Sequence, residues 1–107
     1  MRNALVTLRG NIGVDPELNI SDKGTKWLRL PVATSSGKNN ERTDWHIVKL
    51  FGDQAEGAAE LSKGQSVTVE GNLEYDRWTD KSGVDHFDAV VYAYSISVNI
   101  WKPATAE

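Results

Sequence analysis

The stretch TDWHIVKLFGD, Thr43 to Asp53, alternates like a β-strand, yet neither of its faces is plainly polar. Successive side chains on a strand point to opposite sides. His46, Val48 and Leu50 therefore share one face, and Trp45, Ile47, Lys49 and Phe51 share the other. The first set suits a core. The second puts two aromatic rings, an aliphatic and a cation where water is expected, so that face needs a ligand, a partner or a cover.

Upstream, Val6-Thr7-Leu8 begins a strand, and Gly10-Asn11-Ile12-Gly13 supplies turn or bulge chemistry. Asp15-Pro16-Glu17 reads as a turn, Leu18 to Ile20 as a short strand, and Ser21 to Thr25 as a hairpin turn. Lys26 to Ala33 alternates again, with Leu28, Leu30 and Val32 on one face and Trp27, Arg29 and Pro31 on the other. Pro31 lacks an N–H, which places this strand at an edge or a bulge. Ser35 to Arg42 (SSGKNNER) has no apolar residue and reads as a mobile loop.

Downstream, Asp53 to Ser62 is the one helix candidate, with a weak stripe of Ala55, Ala58, Ala59 and Leu61 and Asp53 as its N-cap. Val67, Val69, Gly71, Leu73 and Tyr75 mark another strand. Arg77 to Gly83 reads as a hairpin tip and Phe87 to Val98 as the returning strand. Residues 1–103 form one expected domain. Trp101 reads as a packing or interface residue, and residues 104–107 as a loose end. Five long strands with one short helix between the third and fourth point to an all-β fold. The expected form is a five-stranded Greek-key barrel of the oligonucleotide/oligosaccharide-binding (OB) type. A split ferredoxin-like sandwich would need a second substantial helix, and no segment supplies one.

A chain of 107 residues supports one domain with a modest core. It has no cysteine, and its two histidines lack metal-ligand spacing, so neither a disulfide framework nor a zinc site is expected. The opening MRNALVTLRGN has no apolar signal region, and no run approaches the ~18 apolar residues of a membrane span. The expectation is a cytoplasmic protein without a membrane partner. Net charge is −3, but residues 1–50 hold eight Lys/Arg against five Asp/Glu, and residues 51–107 four against ten. An acidic body can thus carry a basic face.

Catalytic signatures are absent: there is no GxSxG elbow, HExxH pair or phosphate-cradling loop. Asp44 and His46, two apart, flank Trp45, while Asp85, His86 and Asp88 sit in a hairpin arm that suits solvation better than catalysis. No enzyme is expected. The aromatic-and-basic pattern carries more information. Trp27 and Arg29 share one outward face, Trp45, Lys49 and Phe51 another, and Trp78 has Arg77 beside it. Single-stranded nucleic acid requires cations for its phosphates and π-faces for its bases. Core packing or a subunit interface could also hide tryptophans. The inward positions of these strands are already filled by aliphatics, however, which leaves Trp27, Trp45 and Phe51 over for a ligand surface.

The chain resembles the bacterial and phage single-stranded DNA-binding protein family over residues 4–93. VTLRGNIGVDPEL (Val6–Leu18) resembles the family's first strand and its DPE turn, and Trp27 to Thr34, with its LPVAT ending, the second strand. TDWHIVKLFG (Thr43–Gly52) is the most specific block, and KGQSVTVEGNLEYDRWTDKSG (Lys63–Gly83) matches a further one. The resemblance implies sequence-independent binding of single-stranded DNA during replication, recombination and repair, nucleoid association, and no metal or nucleotide cofactor. It makes Trp45, Phe51 and Trp78 stacking platforms and places His46 near the interface of a homotetramer, with a homodimer as the alternative. Trp27 joins the stacking set, and Arg9, Arg29, Lys38, Arg42, Lys49 and Arg77 the expected phosphate contacts.

Three departures qualify this expectation. The stacking aromatic many members carry after the Ala-Thr-Ser segment is missing, with Lys38 near that position. The usually basic arm holds Glu74, Asp76, Asp80, Asp85 and Asp88 against Arg77 and Lys81. The chain stops at Glu107 without the acidic tip that recruits replication and repair proteins. The rival readings are an OB-fold adaptor of the primosomal type, acting mainly through protein partners, and a small oligosaccharide-binding barrel.

Overall fold

Alternating aliphatics build long strands because each buries one side of the chain every second residue. The computed structural model describes residues 4–100, apart from the Asn40 side chain. Its elements are β1 (Leu5–Ile12), β2 (Asn19–Ile20), β3 (Lys26–Ser36), a short 3₁₀ turn (Lys38–Asn40), β4 (Arg42–Phe51), α1 (Asp53–Ala58), β5 (Ser66–Thr79) and β6 (Asp85–Val98). The expectations for Trp101 and for residues 104–107 lie outside the described residues.

The strand order β1-β5-β6-β4-β3 closes on itself where Asn11 and Ile12 of β1 pair with Ala33 and Val32 of β3, and β2 extends the outside of β3. The result is an all-β OB-fold barrel of five long strands. Closure depends on Gly10, where an added Cβ would lie 2.1 Å from the Ala33 carbonyl oxygen. Leu28, Leu30, Val32, Val48, Leu50, Val67 and Val69 are fully buried, as the alternation requires. Val90 and Val91 are both buried although adjacent: Val91 joins the barrel core, while Val90 points to the opposite face of β6.

Three boundaries differ from the sequence expectation. The helix spans Asp53–Ala58, short of Ser62, and Gly52, not Asp53, is its N-cap, with no side-chain capping bond. Beyond Ala58 the chain tightens into three-residue bonds, Glu60 N–H to the Gly57 carbonyl and Leu61 N–H to the Ala58 carbonyl. The helix is anchored from its flanks instead. Ala55 and Ala58 are buried, Lys26 pairs with Glu56 at 2.6 Å, and Gln54 donates to the Tyr94 carbonyl at the β5–β6 bulge.

The polar stretch after Ala33 is not simply a loop. β3 runs to Ser36 and pairs with β4 down to Ser36↔Arg42, because backbone ladder bonds form without apolar side chains. Likewise β5 continues through Arg77 and Trp78 to Thr79, paired with Asp85, so the hairpin tip shrinks to residues 80–84. Pro31 lies where the outer side of β3 passes from β2 to β1, and its carbonyl accepts from Gly13 N–H at 2.9 Å.

Candidate nucleic-acid interface

The β3–β4 register sets Trp27 opposite Phe51, Arg29 opposite Lys49 and Ala33 opposite Trp45, all on the outer face. Trp45 is 60% exposed and Phe51 46%, whereas Trp27 is half-buried. Trp45 rests on Gly13, which has no side chain to displace its ring, with Pro31 beside the same position. Phe51 lies nearly parallel to Tyr92 of β6, with centroids 6.2 Å apart and planes 6° apart, an offset stack.

β4 pairs in parallel with β6 only through Ile47, Val48 and Lys49. Past Val90, β5 and β6 continue as a two-stranded ribbon that leaves the barrel. Between this ribbon's base and the β3–β4 face runs a groove of about 430 Å³. Arg29, Trp45, Ile47 and Lys49 line one wall, and Asp76, Phe87, Asp88, Ala89 and Val90 the other. Ile47, which carries neither charge nor ring, thereby acquires a place in the groove. A second cavity of about 340 Å³, between α1 and the end of β6, is lined by no charged residue.

Lys49 is paired with an acid in the fold. Its ammonium sits 3.2 Å from Asp76 Oδ2 and 5.8 Å from the centre of the Tyr92 ring. The Tyr92 hydroxyl reaches both carboxylate oxygens of Asp76, at 2.8 and 3.0 Å. The tyrosine hydroxyl is the main cause that holds the Asp76 carboxyl below its ordinary range; burial opposes it less strongly, and the lysine adds to the lowering.

On the ribbon, Trp78 stacks on His86 at 4.2 Å and 15°, and its indole N–H donates to Asp88 Oδ2 at 2.7 Å. Arg77 lies on the opposite face, with its guanidinium 5.4 Å from the Phe87 ring centre. Asp80 organises the tip: its Oδ1 accepts from the N–H groups of Ser82 and Val84, and its Oδ2 lies 2.9 Å from His86 Nε2. The His86 bond, then the backbone donors, hold Asp80 below the usual carboxylate range. Asp85 accepts from the Thr79 hydroxyl at 2.7 Å. Four of the arm's acids thus have partners inside the fold.

The predicted site residues fall into groups. Arg29, Trp45 and Lys49 meet in the groove, and Trp27 and Phe51 continue the same face. Trp78 and Arg77 occupy opposite faces of the ribbon. Lys38 and Arg42 stand at the end of the β3–β4 hairpin, where Arg42 pairs with Asp44 at 3.3 Å. Arg9 is exposed on β1 opposite Thr68 and does not line the groove. His46 is bonded to the Thr34 hydroxyl at 2.8 Å. Sequence reasoning missed Phe87 and Tyr92 as neighbours of this surface, and Asp76 and Asp88 as polar groups in it. Only the strand pairing shows that they come together with β4.

The model of the Single-strand binding protein family matches residues 4–99. The single-stranded DNA-binding proteins of Xanthomonas campestris pv. campestris and Xanthomonas axonopodis pv. citri are each 41% identical over 95 residues. Those matches take in 82% of this chain and 55% and 53% of the relatives, so the chain spans about half their length. The crystal structure of a deletion mutant of the single-stranded DNA-binding protein from Thermus aquaticus superposes with a TM-score of 0.80 at 30% identity, covering 98% of this chain and 45% of that one. The β3–β4 face, the ribbon and the family match agree: the chain belongs to the single-strand binding protein family.

Proposed function

We propose that this protein binds single-stranded DNA without regard to sequence, protecting it and holding it open during replication, recombination and repair. Binding and not catalysis is also what the family's description implies. The observation that carries the reading is the groove beside Trp45, where that exposed ring, Ile47 and Arg29 line one wall and the exposed Phe87 ring the other. Bases stack on Trp45, Phe51 and Trp78, with Trp27 in support, and each stacked base contributes about 1–3 kcal/mol. Arg29 makes no ion pair with an acid among the described residues, which suits it to phosphate. Self-association as a homotetramer or homodimer, with His46 near the contact, and a cytoplasmic, nucleoid-associated location complete the proposal.

Titration with an oligo-dT while following tryptophan fluorescence tests it, at low and high salt. Strong quenching is expected, with an affinity that falls as salt rises. Absence of quenching at low salt would sink the reading and favour the adaptor alternative, to which the acidic ribbon lends weight.

A further inference from the structure

Lys49 and Asp76 are 27 residues apart, on β4 and β5, and meet in the groove. Their contact is reinforced from both ends. The Tyr92 hydroxyl donates to both oxygens of Asp76, and the Tyr92 ring lies beside the Lys49 ammonium. Both side chains are partly shielded, at 27% and 35% exposure, so the pair is less fully screened than one on the open surface. A carboxylate carries the same sign as a phosphate and uses the same donors.

We propose that Asp76 is a built-in competitor for phosphate: it occupies Lys49, so that at this point the groove admits bases and leaves the backbone to Arg29. Asp76 is then a specificity-determining residue that weakens binding and reduces its salt dependence. Among the described residues, the charged groups lining this groove are Arg29 and Lys49 on one wall and Asp76 and Asp88 on the other. Asp88 is engaged by Trp78, which leaves Asp76 as the group directly opposed to the lysine. The inference rests on the nucleic-acid reading of the groove, but the competition for an anion can be measured separately.

The test compares wild type, Asp76→Asn, and the double variant Lys49→Met/Asp76→Asn with two probes, oligo-dT and inorganic tripolyphosphate. Asparagine keeps the shape of the side chain and can still accept from the Tyr92 hydroxyl. Asp76→Asn is expected to bind both probes more tightly than wild type. With one more phosphate contact, the slope of log affinity for oligo-dT against log salt steepens by about 0.7, so tenfold more salt costs the variant about fivefold more than wild type. The double variant should lose these gains.

A folded Asp76→Asn protein with unchanged or weaker binding to both probes overturns the proposal, as does a gain that survives removal of Lys49. If no variant binds oligo-dT but Asp76→Asn gains tripolyphosphate through Lys49, the competition stands and the nucleic-acid reading falls.

Discussion

Trp45 lies against Gly13: a Cβ added to Gly13 would come within 2.4 Å of the indole Cζ3 and 3.0 Å of Cη2. Gly13 does not have a positive φ, so alanine suits its backbone, and the conflict is with the ring alone. Gly13→Ala should displace the indole and lower oligo-dT affinity, up to the loss caused by Trp45→Ala. The latter is about 1–3 kcal/mol if the ring stacks one base. Urea unfolding midpoints close to wild type, measured beside the titrations, would locate both effects in the binding surface.

The same glycine-to-alanine change should act with opposite signs at two other places. At Gly10 the new Cβ would lie 2.1 Å from the Ala33 carbonyl oxygen, where β1 closes onto β3, and neither backbone can give way easily. Gly10→Ala is expected to destabilise by at least about 1–3 kcal/mol. At Gly57, inside α1, a Cβ meets nothing within 4 Å, and alanine should stabilise by about 0.4–1 kcal/mol. Denaturant melts of the two variants decide both.

Asp76 and Asp80 both have carboxyls held below their ordinary range in the folded protein. An unfolded aspartate titrates near about pH 3.9. The stability these two contribute is therefore fully present above about pH 4 and is lost as pH falls through their lower folded-state values. Tyr92→Phe removes the largest cause at Asp76, so its carboxyl should titrate closer to the ordinary value and the acid loss of stability should shrink. Carboxyl-carbon NMR titration reads the first effect, and urea midpoints between pH 2 and 7 the second.

Trp78 uses one ring face against His86 and remains 48% exposed. Trp78→Ala should lower oligo-dT affinity while changing global stability by no more than about 0.5 kcal/mol, since the ribbon lies outside the barrel core. His86→Ala removes the support without the platform. It is expected to weaken binding less than Trp78→Ala and to shift the tryptophan emission of the free protein.

The barrel was legible because its evidence is local. Leu28, Leu30 and Val32, with Val48 and Leu50, fall on one parity, and all five are fully buried. The same parity separates Trp45 and Phe51 from the core. Strand ends were less legible, at Ser35–Ser36 and at Arg77–Thr79, where polar residues continue a ladder that needs only their backbones. The helix was read too long because the stripe through Leu61 persists after the i→i+4 bonds have stopped.

The sequence by itself determined the succession of strands along the chain, the inward and outward sets, and the aromatic character of one face, because a two-residue period is a property of the backbone. Only the tertiary structure decided what meets that face. The parallel pairing of β4 with β6 and the run of β5 past the barrel bring Asp76 and Tyr92 to Lys49, and Phe87 and Asp88 to the groove beside Trp45. Such meetings depend on register and closure across separate strands. For that reason Lys49, which reads as a free cation in TDWHIVKLFGD, is a paired one in the folded protein.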